Sequence, residues 1–463
     1  MRCKVCYNTL VQKSPKGDTA VNTSYQFTPG GICPVCGKLH ASAVKETYIK
    51  ANAIDDLPLL VKKYGATRAF VIADVNTWPI GGERIFNVLS AAGIPAAKHV
   101  FPDRRLEPDE KAVGSLLMHY DPACDIIIAF GSGVINDLSK LLARMTNNTY
   151  IIVASAAYMD GYASGNSSVV RNGVKVTLNS KSPDVIMGDT GVLSAAPAHM
   201  AKAGLGDMLA KYISICEWRI SNLINGEYFC EDVAAYTRSV REACVKAAPG
   251  IVARDPQAIA TVFKGLVDAG MAMDFAGSSR PGGGGEHYFS HLWDMRGLEF
   301  GTHVAPHGMQ AAIGTLYSIK AFEALRKIKP DREKALAYAK SFDFAKWSEQ
   351  LTAFLGKGAD AMIALEAKER KYDLDKHRAR LDIILAKWDE LMAILDEELP
   401  SSADIEALLA SIDAPKCIED IGMDKSILPM TLMATKDIRD KYILSRLLWD
   451  LGVLDEVAAE LAK

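Results

Sequence analysis

The chain has 463 residues, a formal net charge of −3 and an apolar share of 49%. This length exceeds what one hydrophobic core usually fills, so we expect two domains. The balanced charge argues against a nucleic-acid partner, because domains that bind nucleic acid usually carry a basic excess. The first residues lack the apolar core of a signal peptide, and no apolar run reaches the roughly 20 residues of a membrane span, so we expect a cytoplasmic protein.

The N-terminal segment, residues 1–40, carries two Cys-x-x-Cys pairs, Cys3 with Cys6 and Cys33 with Cys36. Cysteines paired in this way commonly complete a tetrahedral zinc site, and free or redox-active thiols are the alternative. We predict a zinc-knuckle-like segment with one structural zinc ion on these four cysteines. The remaining cysteines are isolated, and the overall usage does not resemble a secreted disulfide scaffold.

Residues 41–190 alternate short apolar runs with segments of helical periodicity. Strands separated by helices of this length predict a Rossmann-like parallel sheet covered on both faces. An Asn172-Gly173 pair between β-branched residues predicts a β-hairpin. The predicted strands are 69–73, 96–101, 125–130, 150–155 and 184–187, and the predicted helices are 82–92, 109–120 and 134–145.

A glycine-rich turn, Gly131-Ser132-Gly133, follows the third predicted strand. Glycines let the backbone approach a diphosphate, and the start of the next helix offers free N–H groups and a positive dipole end. Asn136 replaces the third glycine of the Rossmann fingerprint, so an ordinary tight turn is the alternative. Asp74 follows an earlier strand, where a carboxylate either accepts hydrogen bonds from a ribose or caps a turn.

Residues 191–463 have few β-branched runs and long helical periodicities, so we predict an all-α second domain. Asp207, His287 and His307 lie in or beside glycine-rich stretches of this half. One Asp and two His suit Zn²⁺ or a similar ion and leave a coordination position open. Each of them alone is more often an ordinary core or surface residue. Residues 365–399 are rich in acids and bases at helical spacing and predict a solvated helix.

The order of the motifs resembles the sn-glycerol-1-phosphate dehydrogenase family, bacterial type, within the dehydroquinate synthase/glycerol dehydrogenase/iron-dependent alcohol dehydrogenase superfamily. The resemblance covers about residues 33 to 320, and its most specific part is the Arg-Pro…Glu-His-x-x-Ser-His stretch. The motifs that carry it are the loop at 131–140, Met159-Asp160-Gly161, Gly-Leu-Gly-Asp at 204–207 with Lys211, the stretch 279–287, His291-Leu292-Trp293-Asp294 and His307-Gly308.

The resemblance implies a dehydroquinate synthase-like fold, an α/β nucleotide-binding domain followed by the helical domain. It assigns the metal ligands to Asp207, His287 and His307. It also aligns Cys33, Cys36 and His40 with a Cys-x-Cys-Gly-x-x-His segment near the start of relatives, which leaves Cys3 and Cys6 additional. The cofactor-binding positions are Asp74, Gly131, Ser132, Gly133, Asp137, Ser155, Tyr158 and Ser164, the catalytic positions Asp160, Lys211 and His291, and the substrate-binding positions Asp160, Arg280 and His291.

The chain departs from the family pattern in two places, with a bulky Tyr158 near the cofactor and four glycines after Arg280-Pro281. For Arg280 itself, a guanidinium in this turn predicts a bidentate contact with a substrate phosphate, and a surface arginine is the alternative.

The activity that the resemblance implies is interconversion of dihydroxyacetone phosphate and sn-glycerol 1-phosphate, a step of glycerophospholipid metabolism. It implies NAD(H) or NADP(H), one divalent metal (zinc, with nickel or iron as alternatives) and a homo-oligomer, a dimer. The metal would stabilise developing alkoxide during hydride transfer, with a water relay or His291 carrying the proton. The alternatives are a polyol dehydrogenase acting on an unphosphorylated substrate, a dehydroquinate synthase-like activity, and an inactive zinc-knuckle interaction protein.

Overall fold

A computed structural model of the protein describes residues 30–302 and 304–462. Its first half contains a six-stranded sheet in which every strand pair is parallel, with the order β1-β8-β5-β4-β2-β3, and a separate two-stranded ribbon of β6 and β7. The strands are β1 (Glu46–Lys50), β2 (Ala69–Asp74), β3 (Ala96–Phe101), β4 (Ile126–Gly131), β5 (Thr149–Ala154), β6 (Asn166–Arg171), β7 (Val174–Asn179) and β8 (Val185–Asp189).

The central strands are buried on both faces, as expected for a parallel sheet covered by helices. Strand β4 is buried along its whole length. Its Ile127 and Ala129 join one core and its Ile126 and Ile128 join the core on the opposite face. All five predicted strands are therefore confirmed. The sequence did not predict β1, which pairs with β8 at the edge of the sheet and is only half-buried.

The predicted hairpin is confirmed by the antiparallel pairing of β6 and β7, in which Arg171 pairs with Val174. Its two turn residues, Asn172 (φ 53°) and Gly173 (φ 75°), both have a left-handed backbone. Two central residues with positive φ are the signature of a type I′ turn, whose twist matches that of the two strands.

Short helices connect the strands, and the three predicted ones are present within a residue or two. In α3, for example, the side chain of Asp109 accepts a hydrogen bond from the backbone N–H of Ala112 and so caps the helix. The helices of this part are α1 (Leu57–Lys63), α2 (Glu83–Ala91), α3 (Glu110–His119), α4 (Gly133–Thr146) and α5 (Thr190–Ala195).

No strand follows β8 in the described part of residues 190–462, which confirms the predicted change from an α/β to a helical region. No described helix is long and apolar enough to cross a membrane. The helices are α6 (Ala198–Leu209), α7 (Lys211–Asn225), α8 (Glu231–Lys246), α9 (Ala248–Val252), α10 (Pro256–Ala276), α11 (Gly285–Phe300), α12 (His307–Arg326), α13 (Arg332–Ser341), α14 (Phe344–Leu355), α15 (Ala359–Glu369), α16 (Leu374–Ala386), α17 (Trp388–Glu398), α18 (Ser402–Ser411), α19 (Leu428–Thr435), α20 (Leu444–Asp450) and α21 (Leu454–Leu461).

The prediction of one solvated helix over 365–399 is wrong, because this segment belongs to three helices, α15, α16 and α17. Helix α15 ends at Glu369, the backbone of the next residue, Arg370, is left-handed (φ 49°), and Asp373 then caps the start of α16. Both α16 and α17 bury apolar side chains such as Leu381 and Leu391, so they are packed against the core on one side.

Candidate active site

A close crossing of two helices brings the first two predicted metal ligands together. Asp207 lies near the end of α6, and His307 is the first residue of α12. A Cβ atom on Gly206 would lie 2.3 Å from the carbonyl oxygen of Gly308, and one on Gly308 would lie 1.9 Å from that of Ala203. Only glycine permits this approach, and the two glycines therefore set the distance between Asp207 and His307.

The three predicted ligands form a cluster whose ligand atoms all lie within 4.8 Å of one another. His287 Nε2 is 3.3 Å and His307 Nε2 is 4.0 Å from Asp207 Oδ1. Asp207 is completely buried, and its Oδ1 atom has no hydrogen-bond partner. A buried carboxylate oxygen costs free energy when it is unpartnered, and a divalent ion between it and the two imidazoles would remove that cost.

The other polar atom of each ligand is already held by the protein. His287 Nδ1 lies 2.9 Å from Glu286 Oε1, and His307 Nδ1 lies 2.9 Å from Ser290 Oγ. Partners of this kind fix the imidazole so that Nε2 faces a metal ion. An Asp/His₂ set of this geometry fits Zn²⁺, Fe²⁺ or Ni²⁺.

Lys211 and Asp160 form a buried pair beside the cluster. Lys211 Nζ is fully buried and donates hydrogen bonds to Asp160 Oδ2 and to the carbonyl oxygen of Gly282, both at 2.6 Å. Burial by itself lowers the pKa of Lys211, but the carboxylates of Asp160 and Asp207 outweigh it and leave the pKa above its ordinary value. Asp160 also donates its backbone N–H to Asp207 Oδ2 at 2.8 Å, so the pair positions the metal ligand.

The predicted nucleotide loop lies at the carboxyl edge of the parallel sheet. Gly131 ends β4 and pairs with Ala154 of β5, and α4 begins at Gly133. Next to it, Ser155 donates its backbone N–H to the carbonyl oxygen of Gly131. A Cβ atom on Gly133 would meet only Met159 Cε, at 3.7 Å, so the space at the start of the helix is open. This arrangement fits a nucleotide diphosphate.

Two predicted cofactor residues already have partners within the protein. Asp74 Oδ1 accepts hydrogen bonds from the backbone N–H groups of Asn76 and Thr77, each at 2.8 Å, so this carboxylate caps the turn after β2. Asp137 Oδ1 lies 2.9 Å from Lys140 Nζ on the next turn of α4. Each of these carboxylates therefore has a structural task in addition to the predicted contact with the cofactor.

The remaining predicted residues are Tyr158, Ser164 and His291. Tyr158 is half-buried, and its hydroxyl oxygen accepts a hydrogen bond from the backbone N–H of His307 at 3.3 Å. Ser164 is half-buried and hydrogen bonds to Asn166 in the approach to β6. The His291 ring lies 6.3 Å from that of His307, between ring centroids, so His291 borders the cluster.

Arg280 does not have the environment that the sequence analysis predicted. The side chain is buried, and Nε and Nη2 both donate to the carboxylate of Glu227, while Nη1 donates to the carbonyl oxygen of Tyr442 at 3.0 Å. The bidentate partner of Arg280 is a carboxylate of the protein, and the glycine run after Pro281 approaches the buried pair beside the metal cluster, where the carbonyl oxygen of Gly282 accepts from Lys211. Arg280 therefore has partners within the protein, and its contact with a substrate phosphate stays a prediction.

The four cysteines predicted to bind zinc are only partly described. Cys3 and Cys6 lie outside the described residues. Cys33 and Cys36 lie together, and the structure adds His40 and Cys230 to them in one cluster of potential ligand atoms. Cys230 had no sequence signal, because it is isolated in the chain and meets Cys33 across 197 residues.

Sequence reasoning also missed Glu286 and Ser290, which hold the outer nitrogens of the two imidazoles. Glu286 adjoins His287, and a carboxylate next to a proposed ligand is a usable signal. Ser290 belongs to the same Glu-His-x-x-Ser-His stretch, but nothing in the sequence pairs it with His307, which lies on another helix.

Comparison with known proteins first defines the class. A family model described as iron-containing alcohol dehydrogenase matches residues 48–197. Glycerol dehydrogenase from Schizosaccharomyces pombe has the same fold, with a TM-score of 0.59, 17% identity and 90% of each chain covered. Maleylacetate reductase from Agrobacterium tumefaciens gives a TM-score of 0.60 at 14% identity, with 91% of this chain and 98% of the other covered. These likenesses establish the dehydroquinate synthase-like fold.

Relatives in sequence then define the family. A protein named glycerol-1-phosphate dehydrogenase (NAD(P)+) from Halalkalibacterium halodurans is 28% identical over 415 residues, which covers 88% of this chain and 93% of the relative. A protein of the same name from Bacillus licheniformis is 30% identical over 65% of this chain and 76% of the relative. One from Methanosarcina barkeri is 32% identical over 56% and 73%. The chain belongs to the glycerol-1-phosphate dehydrogenase family.

Proposed function

We propose that the protein reduces dihydroxyacetone phosphate to sn-glycerol 1-phosphate with NADH or NADPH, and catalyses the reverse oxidation, with the help of one divalent metal ion. The observation that carries this proposal is the unpartnered, buried Oδ1 atom of Asp207 facing the Nε2 atoms of two oriented imidazoles. Tyr158 links this cluster to the end of β5 beside the nucleotide loop. Relatives with that activity in their name support the choice of substrate.

Reduction of the ketone needs a hydride at the carbonyl carbon and a proton at the carbonyl oxygen. When bound, the nicotinamide supplies the hydride, and an ion on Asp207, His287 and His307 supplies Lewis acidity for the negative charge that develops on oxygen. Lys211 and Asp160 hold Asp207 in place from the side of the nucleotide loop.

His291 is the residue that we propose to relay the proton, alone or through water. Burial, followed by the positive charges of Lys175 and Arg439, holds the pKa of His291 well below its ordinary value. The imidazole is therefore neutral at neutral pH, and a neutral imidazole both accepts and passes on a proton.

The substrate phosphate needs cations, and Arg280 is engaged elsewhere. The charges that act on His291 come from Lys175, which is paired with Asp294, and from Arg439, which is exposed and donates one hydrogen bond to Thr177 Oγ1. We propose that Arg439 contacts the phosphate, because its guanidinium has donors to spare and is near the pocket that His291 borders.

The test is oxidation of NADH and of NADPH, followed by absorbance, with dihydroxyacetone phosphate and with dihydroxyacetone. Protein stripped of metal is reloaded with Zn²⁺, Ni²⁺ or Fe²⁺, because an Asp/His₂ site accepts all three. We expect a kcat/KM at least tenfold higher for the phosphorylated ketone, since hydrogen bonds to a charged group are worth about 1.5–3 kcal/mol.

Asp207→Asn is the matched control, because it keeps the size of the side chain and removes the charge that an ion needs. We expect it to lose bound metal and turnover and to keep the fold, as judged by circular dichroism. Equal kcat/KM values for the two ketones would favour the alternative, a polyol dehydrogenase. Full activity of Asp207→Asn would refute the metal assignment.

A further inference from the structure

We infer that Cys33, Cys36, His40 and Cys230 bind one structural Zn²⁺ ion, separate from the catalytic metal. We call these four residues the Cys₃His cluster. Cys33 is 3%, His40 1% and Cys230 0% exposed, and Cys36 is half-buried. Four soft or borderline ligands that meet in the interior are the set that structural zinc sites use.

The distances in the Cys₃His cluster fit a tetrahedral zinc site. Cys33 Sγ is 3.7 Å from Cys230 Sγ, and His40 Nε2 is 3.4 Å from both Cys36 Sγ and Cys230 Sγ. Zinc bonds of about 2.3 Å to sulfur and 2.0–2.1 Å to nitrogen place tetrahedral ligand atoms about 3.4–3.8 Å apart. A disulfide would need sulfur atoms at about 2.05 Å, and the described cysteines are all free.

The imidazole of His40 is oriented for metal binding. Its Nδ1 atom lies 2.7 Å from the carbonyl oxygen of Phe275. A carbonyl oxygen only accepts hydrogen bonds, so Nδ1 carries the hydrogen and Nε2 presents its lone pair to the sulfur atoms. Backbone carbonyls and carboxylates hold metal-binding imidazoles in this way, as Glu286 does for His287.

Donors also point at the sulfur atoms, as a thiolate requires. The backbone N–H of Cys36 lies 3.4 Å from Cys33 Sγ, and the Tyr228 hydroxyl donates to Cys36 Sγ at 3.3 Å. The Cys33 thiol donates to Asp232 Oδ2 at 3.0 Å, a hydrogen bond that zinc binding would replace. Zinc binding to three thiols releases their three protons to solvent and involves no oxidation or reduction.

The position of the cluster indicates a structural role. All four coordination positions are filled by the protein, which leaves none for a substrate. The ion would join the segment before β1 to Cys230, the residue that directly precedes α8, and to the end of α10 through Phe275. The loop that ends at Cys230 also contains Glu227, the partner of Arg280. Zinc would therefore brace the loop that supports Arg280.

A complete set of four ligands also leaves no place for Cys3 and Cys6. The Cys₃His cluster therefore differs from the ligand set Cys3, Cys6, Cys33 and Cys36 that the sequence predicted. When Cys3 and Cys6 are replaced, the Cys₃His cluster should keep its zinc, whereas the four-cysteine set should lose it.

The experiment measures zinc per chain by elemental analysis in full-length protein carrying Asp207→Asn, which removes the catalytic metal from the count. We expect one zinc per chain in this background, one after Cys3→Ser with Cys6→Ser, one after Cys417→Ser as the control at a distant cysteine, and none after Cys230→Ser. The midpoint of thermal unfolding should fall only in the last variant. Zinc retained after Cys230→Ser, or lost after Cys3→Ser with Cys6→Ser, would overturn the assignment.

Cobalt substitution of the wild-type chain keeps the test decisive if Cys230→Ser does not fold. Co²⁺ bound to thiolates gives an intense charge-transfer absorption in the near ultraviolet, which an Asp/His₂ site cannot give. We expect this absorption, with the half-buried Cys36 protected from alkylation while the ion is bound and reactive after a chelator has removed it. Its absence, or a disulfide between Cys33 and Cys230 found by mass spectrometry, would refute the site whether or not the protein reduces dihydroxyacetone phosphate.

Discussion

Single residues near the metal cluster are held by partners that come from other parts of the chain. Lys211 pairs with Asp160, and Arg280 pairs with Glu227, although the motifs that contain Asp160, Lys211 and Arg280 did not indicate either pairing. The sequence indicated which residue types meet a metal, a nucleotide or a phosphate. Whether a charged side chain faces the substrate or another side chain depends on packing. Arg280 lies in the most specific motif of the chain, and yet its guanidinium is paired with the carboxylate of Glu227.

Replacing Arg280 with alanine should mainly affect stability. The change leaves the Glu227 carboxylate without its cation and should lower the free energy of unfolding by roughly 3 kcal/mol. Because the guanidinium does not face the pocket, kcat/KM should change by the same factor for dihydroxyacetone phosphate and dihydroxyacetone. Urea unfolding and the two-ketone assay measure these effects.

Arg439→Ala is the matched comparison, since it removes an exposed guanidinium of the same charge. It should leave stability almost unchanged and lower kcat/KM about tenfold or more for the phosphorylated ketone only. If instead Arg280→Ala is the selective variant, Arg280 turns toward the substrate during the reaction and the original prediction is right.

At the scale of elements, the crossing of α6 and α12 determines the metal geometry. The two helices approach so closely at Gly206 and Gly308 that a side chain at either position would overlap the opposite backbone. The sequence showed glycines around Asp207 and His307 but gave no reason for them, because the contact joins segments about a hundred residues apart.

Gly206→Ala should therefore damage the metal site although alanine favours helices. The added Cβ would lie 2.3 Å from the Gly308 carbonyl oxygen and force the helices apart. We expect a loss of about 1–3 kcal/mol of stability, the range for overpacking, together with weaker metal binding. Calorimetric titration of metal-free protein with Zn²⁺ measures the affinity.

Gly114→Ala in α3 is the control, because a Cβ atom there has nothing within 4 Å. It should be neutral or stabilising by up to about 1 kcal/mol and should not alter metal binding. Unchanged zinc affinity in Gly206→Ala would show that the close crossing is not needed for the site.

Across the whole molecule, the sequence predicted the parts of the fold that rest on local periodicity. The buried strands β4 and β5 are visible in the sequence as apolar runs. The turn between β6 and β7 is visible as the Asn172-Gly173 pair, which favours a type I′ turn. Strand β1 was missed because it is a half-exposed edge strand. Its polar and apolar residues do not form the continuous apolar run that marks a buried strand. The ligands Asp207, His287 and His307 were proposed from their residue types beside glycine-rich stretches, and the family resemblance assigned the same three residues. Cys230 was missed because its meeting with Cys33 is a property of the folded chain alone.

The stability of the whole chain should depend on His99, a buried residue of β3. Burial, and secondly the positive charge of His119, whose ring stacks on it, lower the pKa of His99 to about 4 in the folded state. The unfolded state, with a pKa of about 6.5, binds the proton more readily, so stability is lost as the pH falls from about 6.5 to about 4. The loss due to His99 should be on the order of 1–3 kcal/mol.

His99→Gln removes the titrating group and keeps a polar side chain near Ser115. Thermal unfolding across this pH range should then show a smaller fall in midpoint than in the wild-type chain. A parallel fall in both proteins would mean that other groups account for the acid sensitivity.

The segment before and including β1 contacts parts of the chain that are synthesised much later, and this affects the order in which native contacts form. Among the described strands, β1 pairs only with β8. Cys33 contacts Cys230, which lies 197 residues further along the chain. Contacts between such distant segments form late, because the entropy of closing a long loop is lost before the contact stabilises anything. The segment around residues 33–50 therefore leaves the ribosome before β8 and Cys230 and gains these native neighbours only after most of the sheet and the first helices of the second half have been made.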